Sequence, residues 1–221
     1  MHFKPKALLF DLNGTMIDDM DYHNKAWYKI LNDDLNANIS YEDVKKQMYG
    51  KNDELLKRVF GNTYFTQQQI DEISIKKEKI YQEDYLPDLC LIKGLNQFLI
   101  KAETSGILMA IGSAAIPFNI DFVLDGLNIR SYFKTIVSAN DVKASKPNPE
   151  TFLKGAEALG ISPQSCLVLE DAPKGVEAAL HAGMKCIVLN TAHDAAEFKN
   201  YPNVLKVVSD YTDPIFSELI D

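Results

Sequence analysis

The run Ala7-Leu8-Leu9-Phe10-Asp11-Leu12-Asn13-Gly14-Thr15 decides how this chain folds. Four apolar residues without alternation read as a buried strand, the kind found in parallel sheets covered by helices on both faces. The strand stops at Asp11 and the chain turns through Gly14-Thr15, which sets a carboxylate at the carboxyl edge of the sheet. Open α/β sheets bind their ligands at that edge. An aspartate there is a candidate nucleophile toward phosphorus, forming an aspartyl phosphate.

Working outward, residues 6–10 are joined by similar apolar runs at 107–111, 135–138, 166–169 and 186–189, and Val204–Val208 is expected as an edge strand. Helical patterns lie between them. Residues 94–105 carry Leu95, Phe98 and Leu99 on one face, and residues 149–159 carry Phe152, Leu153 and Ala156. Residues 173–182 begin with Pro and are followed by Gly183, the usual start and stop of a helix. Strands alternating with helices predict an α/β fold with a doubly wound parallel sheet.

Residues 17–88 break the rhythm, with helical periodicity and no strand-like run. Tyr22, Ala26, Trp27, Ile30 and Leu31 share one face; Val44, Met48, Leu55, Leu56 and Val59 another; Ile70, Ile73, Ile80 and Tyr81 a third. The organisation expected is an α/β core from residues 1–16 and 89–221 with an all-helical cap inserted at 17–88. Two crossings close to Asp11 suit a lid. The aromatic residues of 22–85 fall at helical spacing and are expected mostly in the cap interior, not on a stacking surface.

The composition, 46% hydrophobic and 24% charged, is that of a globular protein. A net charge of −8 disfavours nucleic acid and anionic membranes as partners. An anionic substrate therefore needs local lysines or a metal ion. Cys90, Cys166 and Cys186 have no metal-ligand spacing, and the latter two open apolar runs as buried hydrophobes would. A reducing, cytoplasmic setting is expected. The N-terminal apolar run, broken by Asp11, reads as no signal peptide, and no stretch approaches membrane-spanning length. A monomer is expected.

Four polar clusters fall at the ends of four predicted strands: Asp11, Ser113, Lys146 and Glu170-Asp171. Each alone has an ordinary reading as a turn, a cap, a loop lysine or a helix start. Together, in this order, they match the needs of phosphoryl transfer: a nucleophile, a cation, and fixed donors to phosphoryl oxygens. Asp11 would attack. Asp11 and Asp171, with the backbone carbonyl of Asn13 and with Glu170 as a nearby or direct partner, would hold Mg²⁺. Ser113 and the backbone around Ala114 would bind phosphoryl oxygens, and Lys146 would offset the charge gathered at the nucleophile.

These residues resemble the motifs of the haloacid dehalogenase superfamily, within it the β-phosphoglucomutase-like phosphatases and phosphomutases. Asp11-Leu12-Asn13-Gly14-Thr15, Gly112-Ser113-Ala114, Ser145-Lys146-Pro147-Asn148-Pro149 and Leu169-Glu170-Asp171-Ala172-Pro173-Lys174-Gly175 are similar to its four motifs in order. Asp21-Tyr22-His23-Asn24-Lys25-Ala26-Trp27 is similar to the start of its small helical cap. The resemblance implies a Rossmann-like core, a mobile cap, Mg²⁺, an aspartyl phosphate on Asp11 and a small phosphorylated metabolite, often a sugar phosphate, as substrate.

Asn13 departs from that pattern, which normally has an Asp acting as general acid and then as base. An amide keeps the shape but exchanges no proton at neutral pH, a loss of about 10²–10⁴-fold. Leaving groups that are already good anions, such as acyl phosphates or pyrophosphate, suffer least. The expectations are a natural variant with altered substrate demands, an engineered slow form, or a phospho-ligand binder without turnover. The Glu170-Asp171 pair speaks against a halide-releasing enzyme. In the cap, His23, Lys51 and Lys77 are candidate substrate contacts, while Asp18 and Asp19 are expected to be solvated. The run Gly50-Lys51-Asn52-Asp53 lacks the Arg common in the phosphomutases, which favours a phosphatase.

Overall fold

The computed structural model describes residues 3–220. The chain divides into two compact units, Asp19–Leu89 and the remainder, Met1–Asp18 with Cys90–Asp221.

The second of these contains a parallel sheet built from β1 (Ala7–Phe10), β2 (Leu108–Gly112), β3 (Thr135–Val137), β4 (Cys166–Glu170), β5 (Lys185–Leu189) and β6 (Val204–Val208), in the spatial order β3-β2-β1-β4-β5-β6. The six apolar runs of the sequence are these six strands, with β6 at an edge. Along β1, Leu9 faces a core of Ala110, Phe152, Val168, Val176 and Val188. Phe10 points to the other face, edge-on to Phe98 and Phe133. Strand side chains alternate between faces, so a strand of apolar residues throughout needs cover on both.

That cover comes from helices α5 (Leu95–Thr104), α6 (Pro117–Gly126), α7 (Glu150–Leu159), α8 (Pro173–His181) and α9 (Ile215–Ile220). Helices α6 and α9 were not read from periodicity. The latter is a single short turn-and-a-half whose Phe216 packs on Phe98 and Tyr211.

Register carries the consequence for function. Phe10 pairs with Ile111 on one side and Leu169 on the other. The next residues along the three strands, Asp11, Gly112 and Glu170, therefore lie in one row at the carboxyl edge. The strand order also reverses there: from β1 the chain steps outward through β2 and β3, then returns to β4 on the opposite side of β1. Such a switch point opens the crevice in which open α/β sheets bind ligands.

The helical unit comprises α1 (Met20–Lys29), continued by a π-helical turn at Ile30–Asp34, then α2 (Tyr41–Lys45), α3 (Asn52–Phe60) and α4 (Gln67–Tyr85). Trp27, Ile30, Leu31, Val44, Leu55, Leu56 and Ile70 form its core. The face read from Val44 to Val59 belongs to two helices, separated by a turn over residues 46–51 in which Gly50 takes a positive φ of 76°. Ser40 and Thr66 cap α2 and α4 through side-chain oxygens that accept backbone N–H groups. The expectation of buried cap aromatics holds for Trp27, Tyr81 and Tyr85 and fails for Tyr28, Tyr49 and Tyr64, which are exposed. Arg58 covers the Tyr49 ring from 3.8 Å, a contact compatible with exposure. Among the described residues no helix is long and apolar enough to cross a membrane.

Candidate active site

At the edge row, Lys146 joins two carboxylates. Its Nζ donates to Asp11 Oδ1 at 2.5 Å and to Glu170 Oε1 at 2.7 Å, and the lysine side chain is only 9% exposed. Its ammonium also stands 4.7 Å from the centre of the Phe152 ring. Burial alone would push this lysine toward its neutral form. The Asp11 and Glu170 carboxylates outweigh burial and hold the ammonium above its ordinary pKa, so Lys146 is a fixed positive charge beside Asp11.

Glu170 is held on every side. Its Oε2 accepts the backbone N–H groups of Asp171 and Ala172, each at 2.8 Å. Gly175 lets it fit, since a Cβ at that position would overlap the Glu170 carboxylate. Asp171 accepts from Thr15 Oγ1 at 3.3 Å. Gly14, with φ +73°, is likewise required: only glycine adopts this angle without strain, and a Cβ there would overlap Asp171. The loop after β1 is pinned by Thr191 Oγ1, which donates to Gly14 O at 2.6 Å, and by the Tyr211 hydroxyl, which donates to Thr15 O at 3.0 Å.

Carboxylate oxygens of Asp11, Glu170 and Asp171 lie within 4.8 Å of one another, all on buried residues. Burial, followed by the charges of Glu170 and Asp11, pushes the Asp171 carboxyl well above the usual carboxylate range; Lys146 and Thr15 oppose this only in part. Three carboxylates against one lysine leave the site short of positive charge. A hard divalent cation with oxygen ligands fits this donor set.

Ser113, at the end of β2, is 1% exposed. Its N–H donates to Val137 O at 2.9 Å and its Oγ accepts from Ala115 N at 3.1 Å. A hydroxyl that accepts one bond still has its own hydrogen to donate, as a phosphoryl oxygen requires. Ala114 lies between these two residues and is half-buried. Asn13 is half-buried in the pinned loop, its backbone bridged to Ile17.

Within the helical unit, His23 and Lys77 come together. His23 is stacked on Tyr81 with ring centres 3.8 Å apart. Lys77 Nζ lies 2.6 Å from His23 Nδ1 and donates to both carboxylate oxygens of Glu78 at 3.1 Å. His23 Nε2 lies 3.3 Å from Asp19 Oδ2. Tyr81 donates to the same Asp19 oxygen at 2.5 Å, and Asn52 Nδ2 donates to Glu78 at 3.0 Å.

Two expectations change. Lys77, a candidate substrate contact, is 2% exposed and engaged inside this cluster, and Asp19, expected to be solvated, is fully buried in it. Both polar groups are buried because the cluster satisfies them, which periodicity does not reveal. Asp18 is exposed. Lys51 stands at the N-cap of α3, where its N–H donates to Glu54 Oε2 at 3.1 Å.

Burial lowers the pKa of Lys77, while the same ammonium, against burial, keeps Glu78 below its ordinary value. Removing one member of such a buried charge pair costs about 3–5 kcal/mol. Lys77→Met is therefore expected to lower the unfolding free energy by about that amount in denaturant titration. A loss below about 1 kcal/mol would mean the pair contributes little more than an exposed one.

The family model for haloacid dehalogenase-like hydrolases matches residues 8–189. The chain belongs to this family. Beta-phosphoglucomutase of Bacillus subtilis (strain 168) is 31% identical over 193 residues, covering 81% of this chain and 80% of that protein. Fructose-1-phosphate phosphatase YqaB of Escherichia coli (strain K12) is 28% identical over 192 residues, covering 85% and 97%. The crystal structure of beta-phosphoglucomutase from Clostridium difficile superposes with a TM-score of 0.81 at 25% identity, covering 98% of this chain and 97% of that one.

In this haloacid dehalogenase-like hydrolase, several residues of the site escaped the sequence reading. Thr15 and Gly14 lay in plain view inside the quoted run. Gly175 shows its role only once Glu170 folds over it. Thr191 lies two residues past the end of β5, so extending the strand-end rule to the loop after β5 would have found it. Tyr211 carries no local signal.

Proposed function

We propose that this chain is a phosphoryl-transfer enzyme, a phosphatase or phosphomutase for a small phosphorylated metabolite such as a sugar phosphate, working through an aspartyl phosphate on Asp11. The observation that carries the reading is Lys146 Nζ held between Asp11 Oδ1 and Glu170 Oε1 at the switch point of the sheet. The lysine offsets the charge that would otherwise repel an anionic substrate from an acidic protein, and it stays charged throughout. Ser113 supplies a donor from the neighbouring strand end. Sugar phosphates are favoured by the names of the relatives, which include a hexitol phosphatase of Escherichia coli.

Asp11 and Asp171, with the carbonyl of residue 13 and with Glu170, would hold Mg²⁺. When bound, the ion neutralises charge on the phosphoryl oxygens. Selectivity for the rest of the substrate is assigned to the helical unit, with Lys51 as a contact, while His23, its ring nitrogens turned to Lys77 and Asp19, acts from within the buried cluster. A phosphatase is favoured over a mutase because Gly50-Lys51-Asn52-Asp53 offers no Arg for a second phosphate. Asn13 favours one rival, a phospho-ligand binder without turnover.

The test is phosphate release from a panel of sugar phosphates, acyl phosphates and pyrophosphate. Slow release is expected with Mg²⁺, lost with a chelator and restored when the ion is returned. Equal rates with and without chelator would overturn the metal assignment. Binding of phospho-ligands with no turnover of any donor would favour the binder.

A further inference from the structure

We propose that Asp11 accepts a phosphoryl group from acyl phosphates and keeps it, so that the chain persists as a phosphorylated protein. The inference rests on Asp11 being the attacking group, as proposed above, and adds a donor class and a stable product.

The two halves of the reaction make different demands on residue 13. In the first, an Asp11 carboxylate oxygen attacks phosphorus and the bond from phosphorus to the acyl oxygen breaks. The acyl carboxylate leaves with the electron pair. A carboxylate is stable as an anion at neutral pH, so this step requires no proton. A sugar phosphate differs, because its departing alkoxide must be protonated and the Asn13 amide has no acidic proton to supply.

In the second half, water attacks the phosphorus of the aspartyl phosphate and loses a proton. Asp11 leaves with the electron pair, and inorganic phosphate forms. The proton needs an acceptor, and the Asn13 amide is none.

No other carboxylate in the row takes over that task. Glu170 has one oxygen on Lys146 and the other on two backbone N–H groups. Asp171 accepts from Thr15 and belongs to the metal-ligand set. Uptake from an acyl phosphate thus keeps every group it uses, while discharge lacks its base. Positioned acid–base help is worth about 10²–10⁴-fold, and the aspartyl phosphate should outlast that of the Asn13→Asp form by this factor.

The experiment uses acetyl phosphate with Mg²⁺ on the native chain, N13D and D11N, followed by desalting, intact mass and peptide mapping over time. Mapping also verifies that residue 13 of the native chain is still Asn, since deamidation at the Asn13-Gly14 bond would create the Asp form. The expected result is one phosphoryl group on Asp11 of the native chain, decaying about 10²–10⁴-fold more slowly than on N13D, and none on D11N. Many turnovers of acetyl phosphate by the native chain without retained label would overturn the proposal. So would equal decay in the two chains, or label on D11N. If N13D hydrolyses sugar phosphates while the native chain takes up no label, only this inference falls. If N13D neither turns over nor labels, the assignment of Asp11 falls with it.

Discussion

Asn13→Asp is expected to raise phosphate release from sugar phosphates by about 10²–10⁴-fold, a barrier lowered by roughly 3–5 kcal/mol. The new carboxyl would protonate the leaving alkoxide and then take the proton from the attacking water. Uptake of phosphoryl from acetyl phosphate should change little, because that leaving group needs no proton. The contrast between donors in the uptake step is the sharper test: a uniform gain in the rate of phosphoryl uptake would point to altered binding, not to proton transfer. The N13D chain should also acquire a descending alkaline limb in its pH–rate profile, since the carboxyl must be protonated to act as acid. The native chain should lack that limb. A gain under about tenfold on every donor would show that residue 13 does not limit the chemistry.

Asp11→Asn should abolish turnover on every donor, a fall of at least about 10³-fold, or roughly 4 kcal/mol. The amide keeps the size of the side chain but is neutral and a poor nucleophile toward phosphorus. It also removes one carboxylate from the Asp11, Glu170 and Asp171 cluster and leaves Glu170 as the one carboxylate on Lys146. Binding of phosphate should survive better than turnover, because Ser113 and Lys146 remain and a negative charge is gone. The split separates this prediction from simple unfolding, and a denaturant titration close to that of the native chain should accompany it. Retained turnover would exclude a covalent route through Asp11.

Much of the core unit can be read from the chain because its strands are buried on both faces. The uninterrupted apolar runs at 7–10, 166–169 and 186–189 are shorter than ordinary helices, and that length decides for strands. The polar residues that end them are conspicuous for the same reason: Asp11 and Glu170-Asp171 follow residues of zero exposure. The helical unit is less legible. Its helices are amphipathic and short, so a face can be followed across a break such as Gly50 without notice.

Sequence by itself determined the strands, their polar endings, the helical segment between the first two strands and the amide at position 13, since all of these are local in the chain. Tertiary structure alone decided that Lys146 bridges Asp11 and Glu170, residues 135 and 24 positions away. It alone turned Lys77 and Asp19 inward and made Gly14 and Gly175 indispensable. Partners for a buried charge come from whichever elements the fold brings alongside it, and a buried charge must find one. Their identity is a property of the packed molecule, not of any stretch of the chain.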